Sequence, residues 1–168
     1  MTINIIAAIN NTNSIGLDGK LLVKLEKDLH RFRDLTMGHT VVLGRRSFEE
    51  IGKALPGRKN IVLSRKNYEP PKDVTVIASL ETVLEQFKHT DDILWVCGGE
   101  EVFRQAFPYV DRVYLTKIDD ATVGDTFFPI EYFGKNFIEI HKEVHEENGI
   151  EFMFLDYMRK GDVDGTFS

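Results

Sequence analysis

Short apolar runs alternate with stretches of helical period along the first two-thirds of this chain, and that alternation constrains its fold more than any other feature. Ile3 to Ile9 is almost continuously apolar, as expected of a central strand covered on both faces. Thr40 to Leu43, Asn60 to Ser64, Val74 to Ala78 and Ile93 to Cys97 read as further short strands. Between them, Leu25, Leu29, Phe32 and Leu35 recur on one face of a helix over residues 25 to 36. Ser47 and Glu50 read as the capping box of a second helix. Ser79 reads as the N-cap of a third, whose apolar positions are Leu80, Val83, Leu84 and Phe87. Glu101 to Phe107 is a short helix stopped by Pro108. From Arg112 onward there are strands without helices: Val113 to Ile118, Phe137 to Val144 and Ile150 to Met158. Asn148-Gly149 joins the last two as a hairpin turn, because both positions tolerate positive φ. The expected architecture is α/β, with a mixed, mostly parallel sheet, antiparallel C-terminal strands and flanking helices.

One domain accommodates all of this. A chain of 168 residues buries roughly two-thirds of its unfolded surface, so it needs neither disulfide nor metal to hold a core. The single cysteine, Cys97, excludes an internal disulfide and is compatible with a cytoplasmic location. No stretch approaches the roughly 20 apolar residues of a membrane-spanning helix. The N-terminus lacks the basic start of a signal peptide. A formal charge of −6 argues against coating nucleic acid, but leaves room for a local basic pocket that takes one small anion. Residues 1 to 160 are expected to form the domain, with 161 to 168 (GDVDGTFS) as a disordered tail.

Three constellations could carry chemistry. Asp28 sits three residues after Leu25 and four before Phe32, on the apolar face of its helix. A lone carboxylate there needs a cationic or hydrogen-bonding partner, such as the amidine-like edge of a ligand, or a raised pKa. The same position also suits a solvated first-turn acid that complements the helix dipole. Gly44-Arg45-Arg46-Ser47 runs from a strand end into a helix start, and Arg65-Lys66 follows the strand ending at Ser64. Both are either basic corners for phosphate or solvated turns. Gly98-Gly99 is a strand-to-helix turn that lacks the third glycine of a full dinucleotide fingerprint. The five histidines have no metal-ligand spacing, so no metal site is expected.

Taken in order, these segments resemble the dihydrofolate reductase family from Ile3 to about Tyr157. The resemblance is carried by Ile6-Ala7-Ala8, Ile15-Gly16, Asp28-Leu29 with Phe32, Thr36, Gly44-Arg45 and Ile51-Gly52. It continues through Leu55 to Asn60 (LPGRKN), Gly98-Gly99, Tyr114-Leu115-Thr116 and Gly124 to Pro129 (GDTFFP). It implies an eight-stranded mixed sheet and hydride transfer from NADPH to 7,8-dihydrofolate, giving 5,6,7,8-tetrahydrofolate for one-carbon metabolism. On this resemblance Asp28 holds the 2-amino-4-oxo edge of the pterin and aids protonation of its N5, with Thr116 as its hydrogen-bonding neighbour. Ile6, Ala8, Leu29, Phe32, Ile51, Leu55 and Cys97 would line the substrate pocket, and Arg58 would pair with the α-carboxylate of the glutamate tail. For the cofactor, Ala8, Ile15, Gly16, Gly98, Gly99 and Thr126 would contact nicotinamide and pyrophosphate. Arg45, Arg46, Ser47, Ser64 and Arg65 would grip phosphates, including the 2'-phosphate that distinguishes NADPH from NADH. Leu21, Gly44, Leu63, Glu101, Val102 and Phe103 complete the cofactor set. No metal, nucleic acid or membrane partner is implied, and a monomer is expected.

The chain departs from the family pattern beside its acid. Where the family usually has Pro-Trp and then Leu-Pro, this chain has Leu22-Val23 and Leu25-Glu26. Val23 can cover a pterin ring but, unlike an indole, donates no hydrogen bond. Leucine at 22 loosens a loop expected to act as a lid. Glu101 stands where many relatives carry a basic residue near the 2'-phosphate, a loss that Arg45, Arg46 and Arg65 would have to offset. The changed pocket edges also predict altered sensitivity to diaminopyrimidine antifolates. A related pteridine or pyrimidine reductase and a catalytically idle folate- or NADPH-binding protein are the alternatives. Arg58 in its Leu-Pro-Gly-Arg turn favours a glutamate-tailed substrate.

Overall fold

A computed structural model describes residues 1–161. The first half runs β1 (Thr2–Ile9), β2 (Ser14–Gly16), α1 (Glu26–Thr36), β3 (Thr40–Gly44), α2 (Arg45–Ile51), β4 (Lys59–Leu63), β5 (Val74–Ile77) and α3 (Leu80–Phe87). The second runs β6 (Ile93–Val96), α4 (Glu100–Ala106), β7 (Arg112–Ile118), β8 (Thr126–Phe127), β9 (Phe137–Glu147) and β10 (Ile150–Arg159). Eight strands form one sheet in the order β5-β4-β3-β6-β1-β7-β10-β9, while β2 pairs with β8 apart from it. All neighbours from β5 to β7 are parallel, and β10 is antiparallel to both β7 and β9. The expected mixed eight-stranded sheet is therefore present. Its hairpin turn has φ of 53° at Asn148 and 78° at Gly149, the left-handed pair a two-residue connection demands.

Alternation along β1 divides the interior into two layers of core. Ile3, Ile5 and Ile9 pack with Leu80 and Val83 of α3 and with Phe103 and Ala106 of α4. Ile6 and Ala8 turn to the opposite face, where Phe48 of α2 and Leu25 at the head of α1 are buried. Each fully buried Leu or Phe contributes about 1.5–3 kcal/mol, so the helices are held on chiefly by these faces. Phe128 fixes the long connection after β7 to the first core layer, its ring centroid 5.3 Å from that of Phe103 and 5.5 Å from that of Phe107.

Several local expectations are corrected. The Ser47–Glu50 capping box does not form: α2 begins at Arg45, Gly44 is its N-cap, and no side chain caps it. The reason is tertiary, since Gly44 N donates to Gly98 O at 2.8 Å and the helix starts as soon as that strand pairing ends. Leu25 is likewise an N-cap position rather than the first helical residue. Ser79 does cap α3, accepting from Thr82 N at 3.2 Å. Pro108 does not end its helix outright; the chain tightens into a 3-10 turn over Phe107–Tyr109, where the missing proline N–H costs nothing. β9 extends to Glu147, three residues past the apolar pattern, because β10 pairs with it along that whole length. Of the expected tail, residues 162 to 168 lie outside the described residues. No helix among the described residues is long and apolar enough to cross a membrane.

Candidate active site

The C-terminal ends of β1, β3 and β6 open into a cavity of about 970 Å³, the position at which parallel α/β sheets take up ligands. Ala7 and Ala8 form its floor, and Gly44, Arg45, Arg46 and Ser47 form the wall at the start of α2. Cys97, Gly98 and Gly99 form another corner, and Ile15, Gly16, Leu21 and Thr126 complete the lining. Two strand ends approach so closely here that side chains would collide. A Cβ on Gly99 would lie 2.9 Å from Ser47 Oγ, and one on Gly44 3.1 Å from Val102 Cγ2. Gly98 has a φ of +127°, which side chains rarely adopt. The corner is thus bare backbone running into α4, a surface suited to phosphate oxygens.

Charge in the cavity is mixed. Arg45 Nε donates to Glu49 Oε1 at 2.8 Å, and its guanidinium lies 4.7 Å from the Tyr68 ring centroid, which holds it at the cavity wall. Burial, reinforced by the charge of Asp125, pushes the Glu50 carboxyl above its usual range, and Arg46 pulls it back. Glu101 lines the wall but leans on its own helix, 3.7 Å from Arg104 Nε. Val102 and Phe103 back the same wall. The glycine corner and the two arginines of α2 fit the phosphates of a dinucleotide. Leu63, Ser64 and Arg65 lie outside these walls at the end of β4: Leu63 packs on the core, Ser64 closes a turn with Lys66, and Arg65 is exposed.

Asp28 occupies the first turn of α1 with its side chain toward the sheet. Thr116 Oγ1 donates to Asp28 Oδ1 at 2.5 Å, and Thr116 is 3% exposed. In register, Thr116 lies beside Ala8 of β1 and Phe154 of β10. Burial raises the Asp28 pKa above the ordinary carboxylate value; the Thr116 hydrogen bond and the Arg31 charge lower it, and Glu147 raises it. A solvated acid serving the helix dipole would not be desolvated in this way. That role belongs to Glu147 at the end of β9, whose Oε2 accepts from Glu26 N at 2.7 Å and Oε1 from Lys27 N at 3.0 Å. Nothing in the sequence local to α1 points to Glu147.

The other expected substrate-site residues are divided between two core clusters, the inner face of α1 and the cavity wall. Val23 packs in the small cluster of Leu25, Ile118, Phe152 and Phe154 that also receives Ala8. Ile6, Leu55 and Cys97 pack together around Val41 and Trp95. Leu29 and Phe32 are half-buried on α1, and Ile51 lines the cavity from the end of α2. Burial pushes the Cys97 thiol up to about 12, so it is a packing group and not a nucleophile. Arg58 Nε donates to Pro56 O at 2.9 Å and Nη1 to Thr36 Oγ1 at 3.1 Å, and neither bond goes to a carboxylate. Asn60 pins the turn that carries it, accepting from Leu55 N at 2.8 Å and donating to Leu55 O at 3.0 Å.

The loop after β2 contributes Gly19 and Leu21 to the cavity lining. Asp18 and Gly19 have φ of 51° and 74° and turn the chain so that Leu17 and Lys20 exchange backbone hydrogen bonds of 3.1 and 3.0 Å. Asp18 N donates to Asp125 Oδ2 at 3.0 Å, and Asp125 N to Gly16 O at 2.9 Å. The one sequence signal for Asp125 is its place between Gly124 and Thr126 in the GDTFFP run, which does not by itself imply this role. Among the described residues no group of His, Cys, Asp or Glu side chains is arranged to hold a metal ion.

Cleft, glycine corner and half-buried acid together define an α/β protein built to hold a dinucleotide beside a small substrate with a polar edge. The dihydrofolate reductase family model matches residues 2–159. The chain is 39% identical over 145 residues to dihydrofolate reductase type 3 of Salmonella typhimurium, covering 86% of this chain and 88% of the relative. It is 38% identical over 162 residues to dihydrofolate reductase of Haemophilus influenzae, covering 95% and 100% respectively. The solved structure of dihydrofolate reductase from Enterococcus faecalis, complexed with NADP(H) and RAB-propyl, superposes with a TM-score of 0.88 at 30% identity, over 94% of this chain and 96% of that one. This chain belongs to the dihydrofolate reductase family, a family of NADPH-dependent oxidoreductases.

Proposed function

We propose that this chain reduces 7,8-dihydrofolate to 5,6,7,8-tetrahydrofolate with NADPH, and that Asp28 is the acid that anchors the pterin. The observation that carries the assignment of Asp28 is its part-buried hydrogen bond from Thr116, a residue in register with Ala8, which lines the cavity. NADPH supplies the hydride when bound. The Gly98-Gly99 corner and Arg45 and Arg46 hold its phosphates, and the preference for the 2'-phosphate follows from arginine's charged, bidentate fork. Thr116 occupies Oδ1 of Asp28, which leaves Oδ2 to accept from the 2-amino edge of the substrate. Burial raises the pKa of this carboxyl, the direction that brings a carboxylic acid closer to the operating pH of a proton-exchanging group. Arg58, fixed by Pro56 and Thr36, keeps N–H groups free for the carboxylate of a glutamate tail. The chain acts as a monomer in the cytoplasm on this reading. Its exposed edge strand β9 carries His141, Lys142, Glu143 and Glu146, charges that discourage edge-to-edge pairing.

The test is NADPH oxidation followed spectrophotometrically with dihydrofolate. Substrate-dependent oxidation, much slower with NADH, is the expected result. Tight NADPH binding without turnover would instead mark a binding protein. A second prediction concerns Val23, which packs in the same cluster as Ala8. Val23→Trp supplies an indole N–H beside the acid and should raise turnover or move its pH profile. If neither changes, the proton-delivery account of this position fails.

A further inference from the structure

We propose that Arg31, clamped by Asp156 and stacked on Phe154, is a positioning residue that sets the electrostatic environment of Asp28 and fixes the helical turn that carries it. The proposal rests on the reading of Asp28 as the site acid. Arg31 follows Asp28 by three residues on α1, so the two side chains share a face. Arg31 Nη2 donates to Asp156 Oδ1, and the two side chains are only 16% and 12% exposed. The guanidinium lies 4.3 Å from the Phe154 ring centroid and 5.7 Å from that of Tyr114. Phe154 is the register partner of Thr116, the residue that donates to Asp28. Neighbouring register pairs of β7 and β10, Thr116 with Phe154 and Tyr114 with Asp156, therefore supply the hydroxyl that donates to the acid and the groups that hold the cation.

Packing alone does not account for this arrangement. A largely buried ion pair loses solvation that its own attraction barely restores, and apolar residues of similar size usually fill such a space at no cost. A cation at this point gains its value from the desolvated carboxylate one turn away. Among the described residues, the groups acting on Asp28 are Arg31 on its own helix, the Thr116 hydroxyl from β7 and the Glu147 carboxylate from β9. Asp156 of β10 reaches it through Arg31, while Lys27 and His30 act on Glu147. Burial and Glu147 both push Asp28 toward its neutral form, and Arg31 is the cation that opposes them.

The test is the double variant Arg31→Met with Asp156→Leu, which removes both charges and keeps apolar volume. Asp28 is titrated by carboxyl carbon NMR in the whole chain without ligand, alongside the pH profile of turnover and a thermal melt. The expected result is a melting temperature equal to or above wild type, with the Asp28 midpoint raised by about 1 pH unit and the activity profile displaced the same way. Arg31→Lys keeps the charge and should restore most of that displacement. A folded double variant with midpoint and profile both unmoved would overturn the proposal. Should the apolar pair fail to fold, the near-isosteric neutral pair Arg31→Gln with Asp156→Asn gives the same readout. The NMR midpoint needs no turnover, so a chain that did not reduce dihydrofolate would fail the assay without altering this measurement.

Discussion

Asp28→Asn is expected to lose turnover near neutral pH by roughly 10²–10⁴-fold, the range over which a positioned acid or base contributes, and at the same time to melt at a higher temperature. The two effects share one cause. Asparagine preserves the acceptor for Thr116 Oγ1, so the geometry at Oδ1 survives. What disappears is the charge that would hold the pterin edge and exchange its proton. The stability effect follows from linkage. Burial raises the folded-state pKa of Asp28 above its unfolded value, so the unfolded chain ionises this group first. Stability therefore falls as pH rises from the unfolded pKa through the folded one, and the penalty is complete only above the folded value. Asparagine carries no such penalty. Thermal melts of both proteins should show the variant ahead at pH 7, with the gap closing as pH falls toward about 3.9, the ordinary aspartate value. Wild-type turnover, or a variant that melts lower at pH 7, would remove Asp28 from its assigned role.

The fold was legible because its signals are local and periodic. The unbroken apolar run of β1 can only be buried on both faces, and the helical repeat of Leu29, Phe32 and Leu35 marks a helix lying on one of them. Signals that depend on long-range register were not legible. Glu147 caps α1 from 121 residues away, and Arg31 meets Asp156 across 125 residues; both depend on how β9 and β10 pair. The Ser47–Glu50 pattern looked like a helix start, but the strand ending at Gly44 is locked to Gly98 and the helix begins earlier.

The acid shows the same division. Helical spacing placed Asp28 on the apolar face and left two roles open; its desolvation and the assignment of capping to Glu147 separate them. The glycine pair was weaker still in sequence, because two adjacent glycines are common in tight turns. Its meaning lies in what surrounds it: Ser47 Oγ occupies the space a Cβ on Gly99 would need. That close approach is invisible until β3 and β6 are set side by side.

Gly124→Ala is expected to reduce turnover and weaken NADPH binding while leaving the fold intact. A Cβ at this position would lie 2.2 Å from Gly16 O and 2.9 Å from Ser14 Cβ. The first of these is backbone and cannot swing aside. Normal carbon-to-oxygen contact is about 3.3 Å, so the 14–16 and 124–126 segments must part by roughly that shortfall of 1 Å. The parting strains the bonds from Gly124 N to Ser14 Oγ at 2.8 Å and from Asp125 N to Gly16 O at 2.9 Å. Ile15, Gly16, Asp125 and Thr126 all line the cavity, and Asp125 also holds the loop after β2 through Asp18 N. A shift of about 1 Å in groups that position reactants can cost on the order of 10²-fold in rate. The core is not touched, since Gly124 lies in the connection after β7 and Phe128 remains buried. Stability should fall by only about 1–2 kcal/mol, ordinary for a single substitution. Gly134→Ala is the matched control, because no heavy atom lies within 4 Å of a Cβ there. Turnover, NADPH affinity and melting temperature measured for both variants decide the matter: if Gly124→Ala matches Gly134→Ala in rate and cofactor affinity, the contact between these two segments does not shape the site.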